Sequence, residues 1–332
     1  MEKSGGAILM PALIAALFAA AALSLLIGYA PLPFAQVVGG LFSGGDDTAS
    51  VIMREIRLPR MLLGLVAGAA LGTSGAVLQG LLRNPLAEPG VTGVSAFAAL
   101  GAVIAMYFGI ATAWPLALPL LAITGALISA ALLFAVSARD SGVLTLILAG
   151  VALSSLAGAL TALALNLSPN PYAVSEIVFW LLGSLRDRSL QDFLIAAPFV
   201  VVGVAILMTT GRSLDALTLG EDAAQSLGID LRALARRSAL GVALAVGGSV
   251  AVTGTIGFVG LVVPHLLRPF VGHQPSKLLV PSAIGAALLI TLADIGVRLV
   301  PSRPELMLGV FTSLAGAPFF LWLVMRLRRE MR

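Results

Sequence analysis

An all-α, polytopic integral membrane protein of about ten crossings is predicted by three features of the chain. Of its 332 residues, 59% are hydrophobic and 11% charged, against about 45–50% and about 25% in soluble domains. Its apolar residues gather into runs near the 20 or so needed to span a hydrocarbon core. The charges fall in the short connections between those runs, leaving no stretch for a sizeable soluble domain. Residues 1–332 therefore read as a single transmembrane domain, with one cytoplasmic loop of note at 211–237.

Taken in order, the runs lie near 8–30, 61–82, 93–111, 114–137, 142–165, 191–210, 238–267, 278–300 and 305–325. The first could imitate a signal peptide, but its apolar part is longer than an h-region and Pro31 follows the only small-residue cleavage site, so an uncleaved span is expected. The run 238–267 would measure about 45 Å as one helix, too long for a core of about 30 Å. Its middle carries Thr253-Gly254-Thr255-Ile256-Gly257. We expect a break there into a full span and a short or re-entrant helix. Irregular backbone at that depth is tolerated only where protein or water shields it, which makes the break a candidate pathway element. Small residues such as Gly68, Gly72 and Gly75 suit close helix packing in lipid.

Basic residues orient the chain. With both termini cytoplasmic, thirteen fall inside (Lys3, Arg83, Arg139, Arg212, Arg232, Arg236, Arg237, Arg268, Lys277, Arg326, Arg328, Arg329, Arg332) and seven outside (Arg54, Arg57, Arg60, Arg186, Arg188, Arg298, Arg303). The net charge of +4 is thus read as a topology signal in contact with lipid, with no nucleic-acid partner implied. The chain has no Cys, so disulfides and thiolate metal sites are excluded. No Gly-rich loop ends in Gly-Lys-Ser/Thr, no His-Glu-x-x-His helix or Gly-x-Ser-x-Gly elbow occurs, and membrane carboxylates are scarce. ATP hydrolysis on this chain, intramembrane catalysis and ion-coupled secondary transport are all disfavoured.

Some polar residues have ordinary structural readings. Asp294 and Arg298 are spaced for an i,i+4 ion pair. Gln79 and Asn166 can bond across helices or line a cavity. His265 and His273 flank Arg268-Pro269 without the carboxylates of a metal site, so a turn role is expected and no metal. In the loop, Thr218 or Gly220 can cap a short helix, Glu221 and Asp222 suit its N-terminal end and Gly228 its stop.

Several motifs in order resemble one family. They are Arg57-Leu58-Pro59-Arg60, Arg83-Asn84-Pro85-Leu86-Ala87-Glu88-Pro89-Gly90 with Gly93-Val94-Ser95, Leu148-Ala149-Gly150-Val151-Ala152-Leu153, Gly220 to Gly228, Gly257-Phe258-Val259-Gly260 through Pro264-His265, Ala293-Asp294 and Gly316-Ala317-Pro318. Together they resemble the FecCD-type permeases, the membrane subunits of type II ABC importers for ferric siderophores, haem and cobalamin. The resemblance implies a homodimer of ten-helix subunits in a bacterial inner membrane, two cytoplasmic ATPase subunits that hold ATP and Mg, and an external substrate-binding protein. The chain itself would be no enzyme and carry no cofactor. Cobalamin members receive binding-protein glutamates on residues matching Arg57, Arg60 and Arg298, here expected as exposed docking charges. Asn84 and Leu86 match a cytoplasmic constriction. The second constriction, a Thr-Ser pair in those members, aligns with Val143 and Leu144, which implies a more apolar closure. Gly220, Glu221, Asp222, Ala223, Ala224, Gln225, Ser226, Leu227 and Gly228 match the coupling helix that sits in a cleft of the ATPase. Arg232, Arg236 and Arg237 remain inside-positive anchors. A haem or ferric siderophore is the first expectation for cargo and cobalamin the second.

Overall fold

The computed structural model describes residues 2–42, 45, 47–114, 116–137, 143–168, 170–301 and 305–330, with the backbone alone at 2–7, 134, 137, 143, 144, 324 and 326–330. Arg139, Arg303 and Arg332 lie outside the described residues, as do the side chains of Lys3, Val143, Leu144, Arg326, Arg328 and Arg329.

Among the described residues the chain is helical and contains no strand. Helix α1 (Glu2–Leu26) is followed by the short α2 (Phe34–Phe42) and by α3 (Thr48–Val51). A π-helical stretch, Ile52–Arg57, joins α3 to the long α4 (Leu58–Leu81). Pro59 sits in the first turn of α4, where its missing N–H costs no helical bond. The first half continues with α5 (Val94–Tyr107), α6 (Ile110–Ala113), α7 (Ala117–Ser137) and α8 (Val143–Asn166). Then come α9 (Pro171–Leu181), α10 (Leu190–Met208), and the short α11 (Gly211–Leu217) and α12 (Glu221–Ser226). Helices α13 (Leu231–Thr253) and α14 (Val259–Leu267), a 3-10 turn at Arg268–Val271, α15 (Pro275–Leu299) and α16 (Leu308–Glu330) complete the chain.

By length and composition, six helices among the described residues can cross a membrane. The differences from the expected spans have local causes. The run 93–111 stops at Tyr107 because Gly109, at φ +66°, turns the chain. Helices α2 and α9, which hydropathy alone does not single out, are too short to register as spans, at 9 and 11 residues. The expected break falls where the glycines are: α13 ends at Thr253 and α14 begins at Val259.

The core forms around α4, which packs on α10, α13, α14 and α15. In the α4 span 78% of the most apolar window is buried, against 11% in the spans of α1 and α8. Those two helices therefore leave most of their apolar surface uncovered within the chain. Small residues allow the close approach in the core: a Cβ on Gly75 would sit 1.8 Å from the Gly260 carbonyl oxygen, so α4 and α14 touch backbone to backbone.

Candidate functional site

Three groups of residues line up along α4. One lies at its N-terminal end, one at its middle and one at its C-terminal end, and its 24 residues separate the ends by about 35 Å at 1.5 Å per residue.

At the N-terminal end, Arg57, Arg60 and Arg298 converge, but they are buried, at 3%, 7% and 8% exposure. This corrects the expectation of exposed charges. The physical reason is a shortage of partners at the end of α1, whose last carbonyls have no intrahelical donor. Arg57 donates through Nη1 to the carbonyls of Leu25 at 2.7 Å and Leu26 at 2.9 Å, and through Nη2 to Ala30. Arg298 donates to the carbonyls of Ser24 at 2.8 Å and Ile27 at 2.7 Å, and to the Ser24 hydroxyl at 2.6 Å. Its Nη2 also lies 2.7 Å from Asp294 Oδ2, the expected i,i+4 pair. Arg60 reaches the same carboxylate through Nε at 2.9 Å and Nη2 at 2.8 Å, and also pairs with Glu305. Two arginines and two carboxylates thus neutralise one another where isolated charges would cost several kcal/mol each. Arg60 and Glu305 border an open cavity of about 1110 Å³ at this end of the molecule, together with Tyr29, Glu55, Arg186 and Arg188.

At the middle of α4 the broken helix opens a second cavity, of about 510 Å³, lined by Leu71, Glu88, Ile256, Phe258, Val310 and Leu314 among others. The irregular stretch at 254–257 is held by bonds at and around it. Ser184 N–H donates to the Thr253 carbonyl at 2.7 Å, the Thr255 hydroxyl to the Leu181 carbonyl, and Gly309 N–H to the Gly183 carbonyl at 3.1 Å. Gly254 holds φ +68°, and a Cβ there would lie 2.1 Å from the Trp180 carbonyl oxygen. Any other residue would be both strained and blocked. Glu88, in the connection between α4 and α5, brings the cavity its carboxylate. Burial pushes that carboxyl above its usual range, while the nearby Phe258 backbone opposes the shift. Phe258 is the residue preceding α14, so the carboxylate sits at the positive end of that helix.

At the C-terminal end of α4, Arg83 adopts φ +45°, and Asn84 N–H returns to the Gln79 carbonyl at 3.1 Å. Asn84 Oδ1 accepts from Leu86 N–H at 2.9 Å, fixing the turn locally. Gln79 is buried and spans two helices, donating to the Leu261 carbonyl at 3.2 Å while its Oε1 accepts from Arg268 Nη2 at 2.6 Å. Asn166 is exposed at the end of α8. Val143 and Leu144 are the first two residues of α8, away in sequence from this turn. The stretch from Gly220 to Gly228 forms α12, with Gly220 as its N-cap and Gly228 at φ +83° after it. Arg83 Nη2 lies 2.8 Å from Glu221 Oε1, so this helix and the Asn84 turn are joined by an ion pair.

Asp215 of α11 ties the same loop to α15. It accepts from Ser276 N–H at 2.8 Å, the Ser276 hydroxyl at 2.6 Å and Gln274 Nε2 at 2.8 Å. Burial raises its carboxyl most of any single influence, but these bonds and nearby Lys277 together hold it below the usual range. Arg232, Arg236 and Arg237 are exposed at the start of α13. The His265 ring packs edge-on against Phe319 with centroids 6.2 Å apart, and His273 takes φ +60° in a turn. No group of metal-ligating residues occurs among the described residues.

Sequence reasoning had not given roles to Glu88, Glu305, Asp215 or the Arg83–Glu221 pair. The scarcity of acids was the available signal. In so apolar a chain each carboxylate next to a helix end invites a search for its partner.

The chain matches the profile of the FecCD transport family over residues 15–326. It is 43% identical to the vitamin B12 import system permease protein BtuC of Vibrio cholerae over 288 residues, covering 86% of each chain. It is 38% identical to the hemin transport system permease protein HmuU of Yersinia pestis, again over 86% of each. To the Fe(3+) dicitrate transport system permease protein FecD of Escherichia coli it is 38% identical, over 94% of this chain and 96% of that one. Among solved structures it is similar to a protein assigned to the metal-chelate type of ABC transporter, in an inward-facing conformation. The TM-score is 0.85 and the identity 33%, over 96% of this chain and 99% of that one.

Proposed function

The chain belongs to the FecCD transport family, and from that premise we propose that it is the membrane-spanning permease subunit of an ABC importer for a bulky metal chelate. The observation that supports this reading is the placement of an apolar cavity, opened by the broken α13–α14 segment, between an arginine-lined cavity at one end of α4 and the helical loop at the other, which we read as the outer and inner ends. In this reading the chain works as a homodimer in the inner membrane. Two ATPase subunits with ATP and Mg seat on the loop at 211–237, α12 from Gly220 to Gly228 acts as the coupling helix, and a binding protein delivers cargo from outside. The chain binds no nucleotide of its own.

Docking is proposed over the outer cavity. Arg60, which borders it, is the contact within reach, while Arg57 and Arg298 hold the end of α1 that forms its rim. Asn84 and Leu86, with Val143 and Leu144 at the start of α8, are the proposed constriction at the inner end. For cargo, haem or a ferric siderophore stands first and cobalamin second. These share a metal held in a large organic chelate, the chemistry that the names of the relatives span. Proteoliposomes containing the permease, its ATPase and its binding protein, offered haemin, ferric siderophores and cobalamin in turn, test the assignment. Accumulation of one of the three is expected; accumulation of none, with the complex assembled, overturns the cargo class.

A further inference from the structure

The turn that follows α4 is held from two sides by contacts of unequal strength. On one side the attachments are largely shielded: buried Gln79 bonds to the Leu261 carbonyl of α14 and to Arg268, and the half-buried Glu88 lies beside the Phe258 backbone at the start of α14. With Gly75 against Gly260, these make the base of α4, the turn and α14 one unit. On the other side stands the Arg83–Glu221 pair, whose side chains are 43% and 35% exposed. Among the described residues it is the only ion pair between the turn and the loop at 211–237. Helix α12 otherwise packs on α11 and α13. An exposed pair contributes little to stability, so it adds nothing decisive to the fold.

The backbone at Arg83 points the same way. A left-handed residue after a helix is most often Gly or Asn, and a long side chain there carries a strain cost. Arginine occupies the position nonetheless, and its guanidinium reaches 138 residues along the sequence to the first residue of α12.

We infer that the Arg83–Glu221 pair is the link by which displacement of α12 reaches the Asn84 turn, and through the turn α14 and the central cavity. The inference rests on the reading of α12 as the helix that ATPase subunits move. When α12 shifts as a body, an intact pair draws the end of α4 with it, and the buried contacts pass that movement to α14. Without the pair the ATPase can still bind and cycle, but the turn no longer follows. Both residues are thus positioning groups and do not touch cargo.

The test uses proteoliposomes of the whole complex, with ATP hydrolysis and uptake of haemin, a ferric siderophore or cobalamin, whichever the unmodified complex carries, read in the same vesicles. The variants are Arg83→Glu, Glu221→Arg, the double exchange and Arg83→Lys. Each single reversal is expected to lower uptake per ATP hydrolysed about tenfold, an ordinary coupling between sites, and in Arg83→Glu the ATPase should still co-purify. The exchange should bring the ratio back to within about twofold, and Lys, which keeps the charge, should retain most of it. Unchanged ratios in both reversals overturn the link while leaving the importer standing. Failure of the exchange to rescue, or loss of ATPase from Glu221→Arg alone, also overturns it, because Glu221 would then be a contact of the ATPase itself. If the unmodified complex shows no ATP-driven uptake, the importer reading fails and the link falls with it.

Discussion

Replacing Asp294 by Asn removes one charge from the most buried ionic group in the molecule while keeping its shape. The carboxylate is 2% exposed and takes Arg60 Nε at 2.9 Å, Arg60 Nη2 at 2.8 Å and Arg298 Nη2 at 2.7 Å. Charge-assisted bonds contribute about 1.5–3 kcal/mol and neutral ones about 0.5–1.5. Weakening the contacts to two guanidinium groups therefore costs about 2–3 kcal/mol. The group is also left with two positive charges against Glu305 alone, and breaking a buried pair costs about 3–5 kcal/mol in all. We take about 3 kcal/mol, roughly a hundredfold in the folding equilibrium. The assay is heating of the detergent-solubilised protein, with loss of the monodisperse elution peak as readout. The comparison is Arg186→Ala, whose partner Asp187 is 79% exposed and whose loss should cost under about 0.5 kcal/mol. A clear fall in midpoint for Asp294→Asn and almost none for Arg186→Ala is expected. Equal midpoints would refute the argument that these arginines are structural clamps on the end of α1.

Three further outcomes follow from the middle of α4 and its C-terminal end. Glu88→Gln keeps the side chain's shape and removes a charge that burial disfavours. Because the folded-state carboxyl lies above its unfolded value, the folded protein binds more protons between the two, and stability falls as pH rises through that window. The variant should lose this fall and exceed the wild type at neutral pH in the same elution assay. Asp215 has the opposite sign: its folded carboxyl is held low, so its contribution is fully present above the ordinary carboxylate range and is lost as pH falls through the lowered value. Asp215→Ala should cost about 1–2 kcal/mol at pH 7, the scale of a lost helix cap, and flatten the acid limb of the stability profile. Gly75→Ala places a Cβ 1.8 Å from a carbonyl oxygen. Forcing α4 and α14 apart should cost at least about 1–3 kcal/mol, read as a lowered thermal midpoint together with lost uptake.

The helices were legible wherever hydropathy and punctuation agreed. The break after Thr253 was readable because a run too long for a bilayer carried glycines at its centre, and Gly254 proves to need both its left-handed angle and its bare Cα. The i,i+4 spacing of Asp294 and Arg298 likewise announced the pair that forms. Burial of Arg57, Arg60 and Arg298 was not readable in the same way. Their partners are the carbonyls of Ser24, Leu25, Leu26, Ile27 and Ala30 and the carboxylate of Glu305, all distant in sequence, and backbone carbonyls carry no residue signature. Basic residues at the ends of apolar runs read as solvent-held charges until the end of α1 is placed among them. Glu88 shows the same limit: it was visible within a turn motif, but its meeting with Phe258 depends on how α14 folds back.

ATP-driven uptake by the purified complex tests the central claim most directly. Vesicles holding the permease with its ATPase and binding protein should accumulate a metal chelate when ATP and Mg are supplied to the ATPase side, and none when ATP is withheld. Equal accumulation without ATP, or uptake by this chain alone driven by an ion gradient, would contradict the account.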